Sequence, residues 1–153
     1  MIIKGSDLML FVQQGASTYK SVGYATNHTL TIGSTSSEVS TKDSGGGLWN
    51  EAVVQKLNWS TTTENLFSLD CEGVTFDDLF GIMTSRQEIT VQFTLESSYL
   101  TKPTQVPTGG WSPLATPKYS GKAYITDLQV NAPDGDNASF TATLTGIGAL
   151  ESA

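Results

Sequence analysis

Residues 88–97 read Glu88-Ile89-Thr90-Val91-Gln92-Phe93-Thr94-Leu95-Glu96-Ser97. Side chains alternate between the two faces of a strand. Ile89, Val91, Phe93 and Leu95 therefore share one face, and Glu88, Thr90, Gln92, Thr94 and Glu96 the other. A half-buried strand has this period, and an amphipathic helix does not. The polar face is built from hydroxyls and an amide, with charge only at its ends. The same pattern returns at Ser139–Gly146, where Phe140, Ala142 and Leu144 alternate with Ser139, Thr141, Thr143 and Thr145.

Working outward, further strands are expected at Leu8–Gln13, Tyr19–Ala25, His28–Gly33, Val53–Thr61, Ser68–Glu72 and Lys122–Asn131. In Val53–Thr61 the alternation puts Val53, Gln55, Leu57 and Trp59 on one face, with Trp59 in the core. The turn Ala132-Pro133-Asp134-Gly135-Asp136-Asn137 joins the last two strands as a hairpin. One helix is expected, over 75–84. Thr75 opens a T-x-x-D capping box with Asp78, and Val74 and Leu79 stand where a hydrophobic staple would place them. Asp77 and Asp78 lie in its first turn, favoured by the helix dipole, so the paired carboxylates read as capping rather than acid–base chemistry. Two long loops remain. One runs through Asp43-Ser44-Gly45-Gly46-Gly47 to Trp49. The other, 98–118, holds four of the five prolines and Gly109-Gly110-Trp111. The elements predict a mostly β protein: a single β-sandwich or partial barrel, one domain over 1–153, with one short flanking helix and long loops.

Composition supports this reading. Of 153 residues, 21 are Thr and 17 are Ser, and charged residues are 15%. That is too few charges for a helical bundle, while 38% apolar residues are enough for a core. The net charge of −7 disfavours stable nucleic-acid binding, which depends on cations that displace counterions from phosphate.

The chemistry of catalysis is sparse. There is one histidine, His28, and it has no sequence context for a catalytic triad; it reads as a polar surface residue on a strand edge. One Cys and one His do not make a zinc site, and Cys71 between Asp70 and Glu72 is not an activated thiol. Asp134-Gly135-Asp136-Asn137 lacks the spaced ligands of a calcium loop. Gly45-Gly46-Gly47 lacks the ending of a phosphate loop. The chain reads as a non-enzyme with no cofactor and no metal. The N-terminus shows neither a secretory signal nor a membrane anchor.

Four stretches carry a resemblance. They are Ala25–Ile32 (ATNHTLTI), Glu38–Glu51 (EVSTKDSGGGLWNE), Leu57-Asn58-Trp59-Ser60 with Glu64-Asn65-Leu66, and Gly121–Leu128 followed by Asn131–Gly135 and Ala138–Leu150. In this order they resemble the major tail tube proteins of phages with long, non-contractile tails. The insert 98–118 departs from that pattern. The resemblance implies a homo-oligomer: hexameric rings stacked into a hollow tube that conducts DNA. It also implies tape measure, tail tip and terminator proteins as partners, and a place in the virion tail after assembly in the host cytoplasm. It puts inter-ring contacts in the loop Thr41–Val53, here Lys42, Asp43, Gly45, Gly46, Gly47, Trp49 and Glu51, and in the chain termini. Trp111 is a second candidate anchor, since a loop Trp becomes a hot spot when a partner buries it; packing on its own domain is the other reading for both.

If the ring is a hexamer, six chains at −7 each give −42. Such a wall would let DNA slide. The candidate lumen face is Glu88, Thr90, Gln92, Thr94 and Glu96 with Thr141, Thr143 and Thr145; an ordinary solvated outer face is its alternative. Other readings are a tube subunit of a contractile tail, gene-transfer particle or secretion system, or a carbohydrate-binding adhesion module.

Overall fold

The strand expected at 88–97 lies inside one sheet whose two edges approach each other. In the computed structural model, residues 2–14, 18–38, 49, 52–70, 72–101, 103–107, 110–116 and 119–152 are described. The strands are β1 (Leu8–Gln13), β2 (Tyr19–Ser21), β3 (Ala25–Glu38), β4 (Ala52–Leu66), β5 (Ile89–Leu95), β6 (Tyr119–Asn131) and β7 (Ser139–Ser152). They run antiparallel in the order β2-β1-β5-β6-β7-β4-β3. The partial-barrel form of the expectation is the one observed. The sheet is not closed, but Leu10 N–H of β1 donates to His28 Nδ1 of β3 at 3.0 Å.

The element boundaries differ from expectation in places. β3, β4 and β7 are longer than their apolar patterns, because backbone pairing continues where side chains no longer alternate. Residues 68–70 are not a strand, and 69–70 form a bend. The helix α1 (Phe76–Ser85) starts one residue after Thr75, which is its cap. Thr75 Oγ1 accepts from Asp78 N–H at 3.3 Å, and Asp78 Oδ2 accepts from Thr75 N–H at 3.1 Å. The box satisfies two of the donors that a helix N-terminus leaves open.

One sheet face, with α1 packed on it, makes the core. Leu10, Val12, Val91, Ala123, Ile125, Phe140, Ala142 and Leu144 meet Val74 and Leu79 there. Phe76 packs tilted on Phe67 and in edge geometry with Phe140, each with centroids 5.4 Å away. Trp59 is 3% exposed, as expected for a core residue. Among the described residues no helix is long and apolar enough to cross a membrane.

Candidate assembly surfaces

Three surfaces remain after the core is built: a projecting arm, a polar sheet face and a cleft.

The arm comes from unequal pairing. β4 pairs with β7 only from Ser60 to Leu66, but with β3 from Ala52 to Asn65. Residues Ile32–Glu38 and Ala52–Trp59 therefore form a two-stranded ribbon beyond the sheet. Seven residues of strand span roughly 23 Å. A register shift pairs Thr35 with Lys56 and Ser36 with Val54, leaving Gln55 as the extra residue. The shift puts Val54, rather than the expected Val53, on the face shared by Leu57 and Trp59. Ile32, Val54 and Leu57 thus prolong the core face into solvent, at 59%, 59% and 75% exposure. Two-stranded ribbons are marginal in water on their own. At the arm's end Trp49 is 84% exposed. The other candidates there, Lys42, Asp43, Gly45, Gly46, Gly47 and Glu51, lie outside the described residues.

The polar face is the sheet face opposite the core. Register places Thr141, Thr143 and Thr145 of β7 beside Glu64, Thr62 and Ser60 of β4, and opposite Gln129, Asp127 and Tyr124 of β6. Thr90 of β5 pairs with Lys122, and Glu88 forms an ion pair with Lys122 at 3.5 Å. The two expected polar strands therefore contribute to one surface. Thr126, at a bulge in β6, donates to Thr143 O at 3.3 Å and meets Thr145 Oγ1 at 2.9 Å. Such local bonds hold hydroxyls in place without adding charge.

Half of the β5 expectation fails. Thr94 is 0% and Glu96 3% exposed, so neither belongs to an open wall. β1 pairs alongside and sets Met9 opposite Thr94 and the fully buried Phe11 opposite Gln92, which is itself half-buried. Glu96 Oε2 accepts from Ser98 N–H at 2.6 Å, its own N–H donates to Asp7 O, and Pro113 bridges to it. The 98–118 segment returns along β5 through Ser97 N–H to Ser112 O and Leu114 N–H to Leu95 O. The face is closed at that end by the chain itself. Ser60, Thr62, Glu64, Asp127 and Gln129 replace the lost positions. Asp127 and Gln129 were legible from alternation with Leu128. The β4 residues were not, because both faces of Thr61-Thr62-Thr63-Glu64-Asn65 are polar.

The cleft, of about 520 Å³, lies at the β1–β3 seam. Leu8, Met9, Tyr24, Phe93, Val106 and Trp111 line it, together with His28. Trp111 is half-buried here, so its own domain already covers much of it. His28 also departs from expectation. It is half-buried at the seam, not a plain surface residue, and burial lowers its pKa to about 4. Among the described residues no group of His, Cys, Asp and Glu could hold a metal ion.

Comparison with known proteins bears on these surfaces. The phage tail tube protein family matches residues 2–152. No curated protein matches. Among solved structures, the tail of an empty gene transfer agent particle refined with C6 symmetry is similar at 16% identity. Its TM-score is 0.75, with 99% of each chain covered. The native gene transfer agent virion gives 15% identity and a TM-score of 0.73, again over 99% of each chain. The SPP1 tail tube gives 13% identity and a TM-score of 0.63, over 99% of this chain and 80% of that one. The match takes in the arm, the polar face and the cleft alike, and the chain belongs to the phage tail tube protein family.

Proposed function

We propose that this chain is the structural subunit of stacked hexameric rings that form a hollow tail tube for DNA. The single observation that carries the reading is the arm. It exposes Ile32, Leu57, Val54 and Trp49 along a ribbon that its own domain does not support. A neighbouring copy would bury that surface. The edge strand β3 argues the same way. Over fourteen residues it carries no Lys and no Pro, the residues that usually blunt an edge. Contacts of this head-to-tail kind give rings where the rotation closes and filaments where it does not. The C6 symmetry of the gene transfer agent tail supports six copies per ring.

The polar face would line the bore. Glu64, Glu88 and Asp127 outnumber Lys122 on it, and the rest are hydroxyls and amides. Such a wall exchanges few cations for the counterions of DNA, so it would not hold the genome. Residues 41–53 and the termini would make inter-ring contacts. Tape measure, tail tip and terminator proteins would be the partners in the tail, and assembly would take place in the host cytoplasm. A structural role of this kind needs no catalytic site.

Family membership favours a tube over a carbohydrate-binding module. A neighbouring sheath gene would mark a contractile machine, and a tape-measure gene without one a flexible tail. Negative-stain microscopy of the purified protein tests the proposal. Rings or hollow tubes are expected, and a stable monomer at high concentration would sink it.

A further inference from the structure

The β1–β3 seam is closed by a side chain rather than by a backbone ladder. Leu10 N–H donates to His28 Nδ1 at 3.0 Å. A ring nitrogen that accepts an N–H carries no proton, so the proton of the neutral imidazole sits on Nε2. Nε2 is buried and has no hydrogen-bond partner. Directly opposite His28 in the register is Thr63, whose hydroxyl donates to Asn65 Oδ1 at 2.9 Å. That bond fixes which way the Asn65 amide points. Its Nδ2 is also buried without a partner, in a residue 1% exposed.

Both orphaned groups are donors, and alternation puts both on the core face of adjacent strands. Two donors on one face with no acceptor call for a group with two free lone pairs. Water supplies them, and buried waters bind where two to four such groups converge. Thr61 Oγ1, two residues from Thr63 and four from Asn65 on the same face of β4, is buried and unpartnered as well. It can accept the proton that such a water, or a second one beside it, donates.

We propose that His28, Asn65 and Thr61 hold internal water behind the β1–β3 seam, and that the hydrated neutral imidazole is a proton-sensitive latch on that seam. Protonation places a second N–H on Nδ1, facing the Leu10 N–H. A hydrogen bond becomes two opposed donors, and a charge enters a buried site. Among the described residues that line the cleft with His28, none is a carboxylate. Leu10 meets the imidazole from β1, Thr63 lies opposite it on β4 with Thr61 and Asn65 on the same face, and Leu8, Phe93, Val106 and Trp111 line the cleft with it. Besides His28, Tyr24 is the one ionisable residue among those that line the cleft, and Glu64 points to the opposite face of β4. Burial holds the imidazole neutral down to about pH 4. Opening the latch would release the edge of β3, the strand on which the arm is built. The latch is a property of the fold and does not depend on assembly.

The chain has a single histidine, so nitrogen-15 NMR of the full-length protein reads this site without ambiguity. The expected result at pH 7 is the Nε2–H tautomer, a cross-relaxation peak between its proton and water, and no titration above pH 5. An Nδ1–H tautomer, or a midpoint near 6.5, overturns the latch; no contact with water overturns the water site. A second measurement follows exchange of the Leu10 amide. In His28→Asn the amide oxygen takes the place of Nδ1 but cannot titrate. Protection should persist in that variant, and fall at least tenfold in His28→Leu. Protection in the natural protein should drop on acidification below pH 5, while His28→Asn stays flat. Equal pH dependence in these two proteins overturns the latch, even if His28→Leu does not fold.

Discussion

The indole of Trp59 fills the space that a side chain on residue 146 would need. A Cβ at Gly146 would fall on Cε2, Cδ2 and Nε1 of the ring, and one at Gly121 would stand 2.6 Å from Cζ2. Nε1 donates to Gly148 O at 3.3 Å, so the ring lies across β6 and β7 and is anchored at its polar end. Trp59 is where the arm joins the sheet, and the two glycines are the slot that receives it.

Gly146→Ala should therefore destabilise the fold by about 1–3 kcal/mol, the usual penalty of overpacking a filled core. Urea denaturation of the two proteins measures it. Gly81 in α1 is the contrast, because nothing lies within 4 Å of a Cβ there. Gly81→Ala should stabilise by about 0.5–1 kcal/mol through helix propensity alone. If both substitutions move stability in the same direction, the slot has been misjudged.

Leu57→Asp separates folding from assembly. At 75% exposure in the single chain, the side chain contributes little to its stability, so the change should stay within about 0.5 kcal/mol. Tube formation should fail, because a buried unpaired carboxylate is strongly unfavourable once a neighbour covers it. Sedimentation and microscopy give the readout; tubes of normal length in the variant would remove the arm from the interface.

The polar face can be tested by reversing its charge. Thr90, Gln129 and Thr145 lie on it, and Thr145 and Gln129 are exposed. Replacing all three with Lys should leave tubes intact, since none is in the core. It should slow DNA ejection in a salt-dependent way, because each Lys near phosphate adds counterion release. Ejection at the normal rate from such particles would mean that this face does not line the bore.

Acid should weaken the single-chain fold through His28. The pKa of His28 is lowered from the usual 6.5 to about 4. Below pH 6.5 the unfolded chain takes up a proton that the folded chain refuses, so stability falls as pH drops from 6.5 toward 4 and is fully present above that window. The loss between pH 7 and pH 5 should be about 2 kcal/mol. Chemical denaturation at the two values measures it, and His28→Asn should abolish it.

Much of this protein was written locally. The strand at 88–97, the hairpin around Pro133 and Gly135, and the capping box of Thr75 and Asp78 each depend on neighbours within a few residues. Periodicity and capping report such neighbours directly, and the hairpin is also one of the stretches that carry the resemblance to tail tube proteins. Alternation also told which residues share a face. It could not tell what covers that face. Thr90 and Thr94 follow the same rule in sequence, yet Thr94 is sealed because β1 brings Met9 alongside it and the returning 98–118 segment closes that end of β5. His28 looked like a surface residue between Asn27 and Thr29 until the curl of the sheet brought Leu10 to it from eighteen residues away. One extra residue opposite Thr35 and Ser36 exchanged Val53 for Val54 on the arm. Sequence by itself determined most of the elements and their two-sidedness, because those follow from the geometry of the chain. Burial, the seam and the open part of the polar face were decided by tertiary structure, because they depend on pairings between strands far apart in sequence.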